Sequence, residues 1–297
     1  MVVRRCTFVG RMRFVAAALA AAVPLCVHGE PFYGADLRYA YDDNLTLASD
    51  AADRRGDSLL AAGGYLGQFF VPSRDDTVSV SAGVHATGYA RFALLDETSL
   101  EASGTWRRKL GLGYAAPWIA LRADASHDDY RDDIRDSDRV EIALVAGTRL
   151  SERFDVSGGI SHDRRLARNA APVVPGISGA LYDVAGDSLF VRGGYAPTPK
   201  LLFDASLRAR RGDVVATTPE GLTIFVASNA IAADPAFGSD RYGYRLRGTT
   251  TSASLAMSYA IDERSAVNVE FTYASTSAAA GLDYRESIVS ASWVLRY

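Results

Sequence analysis

Residues 283–297 read Asp-Tyr-Arg-Glu-Ser-Ile-Val-Ser-Ala-Ser-Trp-Val-Leu-Arg-Tyr. Counted back from the end of this stretch, every second residue is apolar or aromatic: Tyr297, Leu295, Trp293, Ala291 and Val289. The residues between them are mostly smaller or more polar. A period of two is typical of a β-strand whose two faces meet different surroundings. The stretch therefore predicts a strand with one apolar face and an aromatic residue at its end.

This strand resembles the C-terminal strand of bacterial outer-membrane β-barrel proteins, in which a final aromatic residue and alternating apolar positions mark the chain for insertion. The resemblance implies a location in the bacterial outer membrane, with outer-membrane lipid and lipopolysaccharide around the protein. It also implies insertion by the barrel-assembly machinery.

The start of the chain has the pattern of a secretory leader. Four arginines (Arg4, Arg5, Arg11 and Arg13) precede an apolar run at residues 14–27. That run is long enough for a signal-peptide core and short for a membrane-spanning helix. We therefore predict a signal peptide at residues 1–29 and a barrel at residues 30–297, with a retained anchor helix as the alternative.

Composition excludes several kinds of chemistry. Both cysteines, Cys6 and Cys26, lie in the predicted leader, so the rest of the chain has no disulfide, thiolate metal site or cysteine nucleophile. The net charge of −3 gives no basic footprint for nucleic acid. No linker or change of composition divides the chain, and we predict no metal and no cofactor.

Eleven further segments repeat the two-residue alternation. They lie at residues 32–41, 58–71, 77–92, 100–114, 119–128, 139–150, 154–165, 188–196, 201–210, 244–259 and 266–275. In the segment at 244–259 the alternation slips near residues 249–251, which predicts a β-bulge. With the final stretch, the pattern predicts about twelve strands.

The connections between these segments fall into two sets. Short ones lie at residues 72–76, 115–117, 151–153, 197–200 and 262–265, and generally longer ones at 42–56, 93–99, 129–138, 166–186, 211–243 and 276–282. Short periplasmic turns, longer extracellular loops and an even strand number are typical of outer-membrane barrels. The fold prediction is all-β: a transmembrane antiparallel up-and-down β-barrel of about twelve strands. A soluble barrel with an apolar core is the alternative.

Aromatic residues gather near the predicted periplasmic ends of the strands, as in an interfacial girdle. These residues are Tyr33, Tyr114, Trp118, Phe154, Tyr195, Tyr259, Trp293 and Tyr297.

The lumen is the first candidate site, because the inner face of such a barrel is polar. The charged residues predicted to bind solute there are Arg38, Arg91, Arg107, Lys109, Arg122, Arg139, Arg149, Arg165, Arg192, Arg208, Arg210, Glu141 and Glu270. Guanidinium groups offer paired hydrogen bonds to carboxylate, phosphate or sulfate. The pattern predicts a narrow, porin-like channel for small polar solutes, anionic ones included, or for a polysaccharide. Alternatively, these charges pair across strands and brace a closed structural or adhesive barrel.

Lipid hydrolysis is a further alternative, since some outer-membrane barrels of this size are phospholipases. His127 and His162 fall on the outward face near the extracellular rim. Their neighbours Ser126 and Ser161 point to the opposite face, because adjacent residues of a strand alternate. We therefore assign no catalytic residue.

The loops give weaker signals. Carboxylates are dense in residues 128–139, but without the regular spacing of a calcium loop. The loop at 211–243 contains an apolar run, residues 222–227, that either folds inward as a constriction or folds over the rim.

The first predicted strand ends in Tyr41-Asp42-Asp43-Asn44-Leu45. This step resembles the first strand and loop of outer-membrane β-barrel porins, some of them linked to exopolysaccharide export. It covers about 30 residues, and it implies polysaccharide-export components as partners.

Overall fold

The computed structural model describes residues 29–297. The predicted signal peptide, apart from Gly29, and both cysteines lie outside the described residues. None of the helices in the described part of the chain is long and apolar enough to cross a membrane.

Nearly all of the regular structure is antiparallel β-sheet. The strands are β1 (Glu30–Asp42), β2 (Asp57–Phe70), β3 (Asp76–Tyr89), β4 (Glu97–Lys109), β5 (Trp118–Tyr130), β6 (Ser137–Arg149), β7 (Phe154–Ala167), β8 (Val184–Thr198), β9 (Leu201–Thr218), β10 (Ala230–Ala233), β11 (Tyr242–Ala260), β12 (Ser265–Ala278) and β13 (Leu282–Arg296). One short helix, α1 (Leu222–Ala227), precedes β10, and 3-10 turns occupy Ala93–Leu95, Asp133–Arg135 and Ala279–Gly281.

The sheet closes on itself. Each long strand pairs with the next, β9 pairs with β11, and β13 returns to β1. The short β10 lies in the connection between β9 and β11, pairs with the first residues of β11, and forms a bridge from Ala230 to Ser178. The wall of the barrel therefore has twelve strands, and the predicted fold is confirmed.

Apolar residues cover the outside of the barrel. Leu60 and Leu66 on β2, Ile160 on β7 and Leu207 on β9 are each more than half exposed. Their neighbours in each strand point inward and are mostly polar or small. A lipid bilayer explains why the sheet is closed, because in lipid every backbone polar group must be paired within the protein.

Two adjacent strands rise above the rest. β9 has 18 residues and β11 has 19, whereas the other wall strands have 13 to 15. The predicted bulge near residues 249–251 is wrong, because β11 pairs without a shift with both β9 and β12. The outward residues Arg247, Thr249 and Thr251 are polar because they lie beyond the apolar residues of β11, not because the register changes.

Aromatic pairs mark the end of the barrel that carries the short turns. Tyr33 stacks on Tyr297, with ring centres 5.3 Å apart, and Phe154 stacks on Tyr195 at 4.7 Å. These rings lie on the outer face, as the girdle prediction requires.

Two members of the predicted girdle lie elsewhere. Trp118 points into the lumen, because its position in β5 has the same parity as the inward residues Arg122 and Asp124. Tyr114 lies in the turn before β5, against the guanidinium of Arg149. The alternation of β5 itself places Trp118 on the inner face, so residue type and position near a strand end were misleading, whereas Tyr114 lies beyond the end of β4 and outside any alternation.

The largest apolar cluster lies inside the barrel, at the end that carries the long loops. Its buried members are Val214, Ala216, Ile224, Ile231, Tyr244, Leu246 and Tyr284, which come from β9, α1, β10, β11 and β13. This cluster holds the connection between β9 and β11 against the inner wall.

Candidate functional site

Twelve of the thirteen predicted solute-binding residues lie in wall strands on the inward parity. They are Arg38, Arg107, Lys109, Arg122, Arg139, Glu141, Arg149, Arg165, Arg192, Arg208, Arg210 and Glu270. Arg91 is the exception. It lies after the end of β3, where its Nη1 is 3.5 Å from the Gly56 carbonyl oxygen and its guanidinium lies over the ring of Phe92. The strand ends at Tyr89, so the alternation does not extend to Arg91.

Most arginines of the middle and upper wall are paired with carboxylates. The N–O distances are 2.7 Å for Arg122–Asp124, 3.3 Å for Arg139–Asp128, 2.8 Å for Arg192–Asp204, 3.3 Å for Arg208–Glu141 and 2.7 Å for Arg210–Asp163. The guanidinium of Arg165 instead donates to the Ser137 hydroxyl and to the Arg135 carbonyl. These pairs give the lumen a mixed lining in which positive and negative charges alternate.

A cavity of about 400 Å³ lies along the inner wall formed by β2 to β6. At one side the His85 Nε2 lies 3.3 Å from Asp36 Oδ1, and its Nδ1 lies 3.3 Å from Glu101 Oε2. Gly63 leaves space for this ring, because a Cβ there would lie 1.9 Å from the His85 ring. The rest of the lining consists of the Tyr65 ring, serine hydroxyls, charged side chains and the small residues Gly83, Ala102 and Ala125. This lining suits a hydrated polar solute, since it offers both hydrogen-bond donors and acceptors.

The long connections meet across the mouth of the barrel, and we call residues 43–56, 90–96, 131–136, 168–183 and 219–241 the loop cover. In a ring of twelve strands, the connection between β9 and β11 is diametrically opposite the one between β3 and β4. Phe237 of the first connection nonetheless contacts Phe92 of the second, with ring centres 5.0 Å apart. Leu95 and Ala236 are buried beside them. The cover therefore spans the full width of the mouth.

A buried ion pair joins two connections of the loop cover. Arg135 Nη2 donates to both carboxylate oxygens of Asp234, at 2.7 Å each, and the Asp234 side chain is fully buried. The Thr217 hydroxyl donates to the same carboxylate at 2.6 Å. The Arg135 guanidinium also lies against the rings of Tyr182 and Phe237.

The connection between β1 and β2 forms the other side of the cover. The Thr217 backbone N–H donates to the Thr46 carbonyl at 2.7 Å, and Arg241 Nη1 donates to Asp53 at 2.6 Å. Asn44 shapes this connection: its buried amide donates to the carbonyls of Ala48 and Arg285. The Tyr41–Leu45 step thus has a structural role, because it anchors a loop that reaches over the lumen.

The carboxyl group of Asp132, in the loop cover, lies where burial disfavours its ionised form. Burial raises the pKa of Asp132, and the guanidinium of Arg135 only partly opposes that rise. Within the described part of the chain Asp132 Oδ2 has no hydrogen-bond partner, and it lies 3.7 Å from Arg135 Nε. Asp132 therefore weakens the fastening when it is ionised.

The two rim histidines each contact an aspartate on the outer face. His127 Nδ1 lies 2.6 Å from Asp138 Oδ1, and His162 Nδ1 lies 2.8 Å from Asp187 Oδ1. Within residues 29–297 neither imidazole is hydrogen-bonded to a serine hydroxyl. The arrangement holds the histidines in place without supplying a nucleophile.

No cluster of His, Cys, Asp and Glu in the described residues has the arrangement of a metal site. The acidic run at 128–139 is instead used for structure. Asp128 accepts from the Ser99 hydroxyl, and Asp136 accepts from the Tyr130 backbone N–H.

The sequence pattern did not reveal the ion pair between Arg135 and Asp234. These residues lie 99 positions apart in loops that have no periodicity. The available signal was the apolar run at 222–227, which predicts that this loop packs against something. Ile224 of that run does pack in the inner apolar cluster, while Leu222 and Val226 remain exposed.

No known protein family and no curated protein sequence matches the chain. Among solved structures, an outer membrane channel from Pseudomonas putida F1 is similar at 10% identity and a TM-score of 0.55, over 92% of this chain and 97% of that one. DcaP, an outer membrane channel of Acinetobacter baumannii, has 11% identity and a TM-score of 0.43, over 91% and 97%. The first likeness supports the fold.

The fold and the apolar outer surface together define the protein's surroundings. A closed antiparallel barrel with apolar residues outside and polar residues inside is suited to a lipid bilayer, and barrels of this kind belong to the bacterial outer membrane. The loop cover then lies on the extracellular side, because outer-membrane barrels carry short turns on the periplasmic side.

Proposed function

We propose that the protein is a porin-like channel that passes small polar solutes through a narrow lumen. The observation that carries this proposal is the cavity along β2 to β6, which lies in a polar wall of balanced charge. A twelve-stranded barrel falls between small barrels that side chains fill and large porins with an aqueous channel. The lining therefore leaves room for solutes of modest size.

The balance of charge bears on selectivity. The paired arginines contribute little net field, because each lies beside a carboxylate. A preference for anions thus depends on the lumen cations that form no ion pair with a carboxylate of the described residues, and these include Arg107, Lys109 and Arg149 toward the periplasmic end. Export of a polysaccharide, together with export components as partners, rests only on the resemblance of residues 41–45.

A closed structural barrel is the second candidate, and the loop cover favours it. Contacts that cross the whole mouth oppose passage for as long as they persist. The two candidates differ in whether the cover opens, so a variant with a weakened cover separates them.

The test is the conductance of the purified, refolded protein in a planar lipid bilayer, with Arg135→Ala measured beside the wild type. Circular dichroism and heat-dependent migration in gels establish folding for both. Discrete steps in the wild type, or steps that appear in Arg135→Ala, support a channel. Silence from both folded proteins would reject the channel in favour of the closed barrel.

A further inference from the structure

Three cations lie together on the inner wall at its periplasmic end. Arg107 and Lys109 end β4, and Arg149 ends β6, two strands away. Within the described residues none of the three forms an ion pair with a carboxylate, unlike Arg192 and Arg208 further along the lumen. Neighbouring strands lie about 4.8 Å apart, so these long side chains can reach a common ligand.

Aromatic rings hold two of these guanidinium groups. The Arg107 Cζ lies 4.2 Å from the centre of the Trp118 ring, and the Arg149 Cζ lies 4.6 Å from the centre of the Tyr114 ring. Stacking on an aromatic face fixes a guanidinium plane and leaves the N–H groups at its edge free to donate. Bidentate recognition of an oxyanion requires such free edges.

The neighbouring strand has a glycine, Gly147, where the Trp118 ring needs space. Trp118 faces Gly147 across β5 and β6, and a Cβ at Gly147 would lie 2.4 Å from the indole ring. Any larger residue at 147 would move the ring on which Arg107 stacks. Tyr114 is fixed as well, because its hydroxyl donates to the Glu152 carbonyl at 3.0 Å.

One acidic side chain belongs to the same surroundings. Asp155 is directly opposite Arg149 in the register of β6 and β7 and points inward. Together, these three cations and one carboxylate carry a net charge of +2. A monovalent anion would neutralise only half of that charge, so the cluster favours an anion with more than one negative charge.

We propose that Arg107, Lys109 and Arg149 form a binding site for small multivalent oxyanions that bear phosphate or carboxylate groups. The site is the first part of the lumen that a solute from the periplasm meets. Its role in passage rests on the channel function proposed above, whereas binding itself does not.

The test is calorimetric titration of the purified barrel in detergent micelles with pyrophosphate and, separately, with citrate. We expect one molecule to bind, and Arg107→Gln and Arg149→Gln to weaken binding about tenfold each, as loss of a charge-assisted hydrogen bond would. Arg108→Gln is the matched control, because Arg108 lies between Arg107 and Lys109 in the sequence but on the outer face. It should bind like the wild type.

Gly147→Ala provides an independent variant that keeps every charge. It should weaken binding by displacing Trp118 and, with it, Arg107. Binding of pyrophosphate alone would identify a phosphate site, and binding of citrate alone a carboxylate site. A wild type that binds neither anion, or an equal loss in Arg108→Gln, would overturn the proposal. Conductance without anion binding would reject this site but support the channel. Anion binding without conductance would support this site but reject the channel.

Discussion

Arg135 and Asp234 join two extracellular loops of the barrel through a buried ion pair in which Nη2 donates to both carboxylate oxygens. Asp234 is fully buried, and Arg135 lies between the rings of Tyr182 and Phe237. A buried carboxylate of this kind is stable only while its partner remains, because removing one charge leaves the other desolvated and unpaired. The pair therefore makes the loop cover sensitive to one side chain.

Arg135→Ala should loosen the cover without unfolding the barrel. Loss of one partner of a buried ion pair costs about 3–5 kcal/mol, and this cost falls on the loops because the wall strands keep their own hydrogen bonds. Limited proteolysis of protein in lipid vesicles should then cut residues 219–241 at least several times faster than in the wild type.

Arg131→Ala is the matched control for this change. Arg131 lies in the same loop but is mostly exposed, and it pairs with Asp96 at 3.2 Å. An exposed pair contributes only about 0–1 kcal/mol, so cleavage should stay close to that of the wild type. Equal cleavage of Arg135→Ala and the wild type would show that the ion pair does not fasten the cover.

Contact across the mouth can be tested by cross-linking. Residues 29–297 contain no cysteine, so Phe92→Cys with Phe237→Cys introduces the only two thiols in that part of the chain. A short thiol–thiol cross-linker should join them in high yield, because the native rings are 5.0 Å apart. The joined protein should also conduct less than the uncross-linked double variant. Phe92→Cys with Leu222→Cys is the control, since the Leu222 side chain points to solvent.

The assignment of the two faces predicts opposite effects for adjacent substitutions in β11. Leu255→Arg places a charge on the lipid-facing surface and should lower the free energy of unfolding in vesicles by about 2–4 kcal/mol if it lies near the bilayer midplane. Ala256→Arg points into the lumen, between Asp204 and Glu270 in the register, and should change stability little. Urea unfolding followed by tryptophan fluorescence measures both. A larger loss for Ala256→Arg would reverse the assignment.

The sequence predicts the wall of the barrel well because lipid requires apolar outward residues along every spanning strand, and these alternate with inward residues. In β12, for example, Val267, Val269 and Phe271 face outward, as the alternation predicts. Residue type is a poorer guide than alternation at strand ends, because Trp118 resembles a girdle residue but its parity in β5 places it on the inner face. The alternation also fails beyond the apolar residues of β11, where the outward residues are polar and the sequence pattern resembles that of a β-bulge.

The alternation does not predict the structure of the loop cover. Loops obey no period, so nothing in the local sequence indicates that Arg135 and Asp234 meet. The same holds for the lumen, where the alternation places Arg208 and Glu141 on the inner face but does not show that they pair. Pairing depends on which strands are near each other across the barrel, and that depends on closure.

The raised pKa of Asp132 predicts that the loop cover is held more firmly when Asp132 is protonated, below its folded pKa. An acid whose folded pKa exceeds its unfolded value contributes stability below the unfolded value of 3.8, and this contribution is lost as the pH rises through the folded pKa. Hydrogen exchange at the Phe237 amide, corrected for the intrinsic rate, should therefore quicken as the pH rises from below 3.8 through the folded pKa of Asp132. Asp132→Asn should flatten that dependence, whereas Asp133→Asn, at an exposed neighbour, should keep it. The same slope in Asp132→Asn and the wild type would assign the effect to another group, such as Asp136, whose pKa burial also raises.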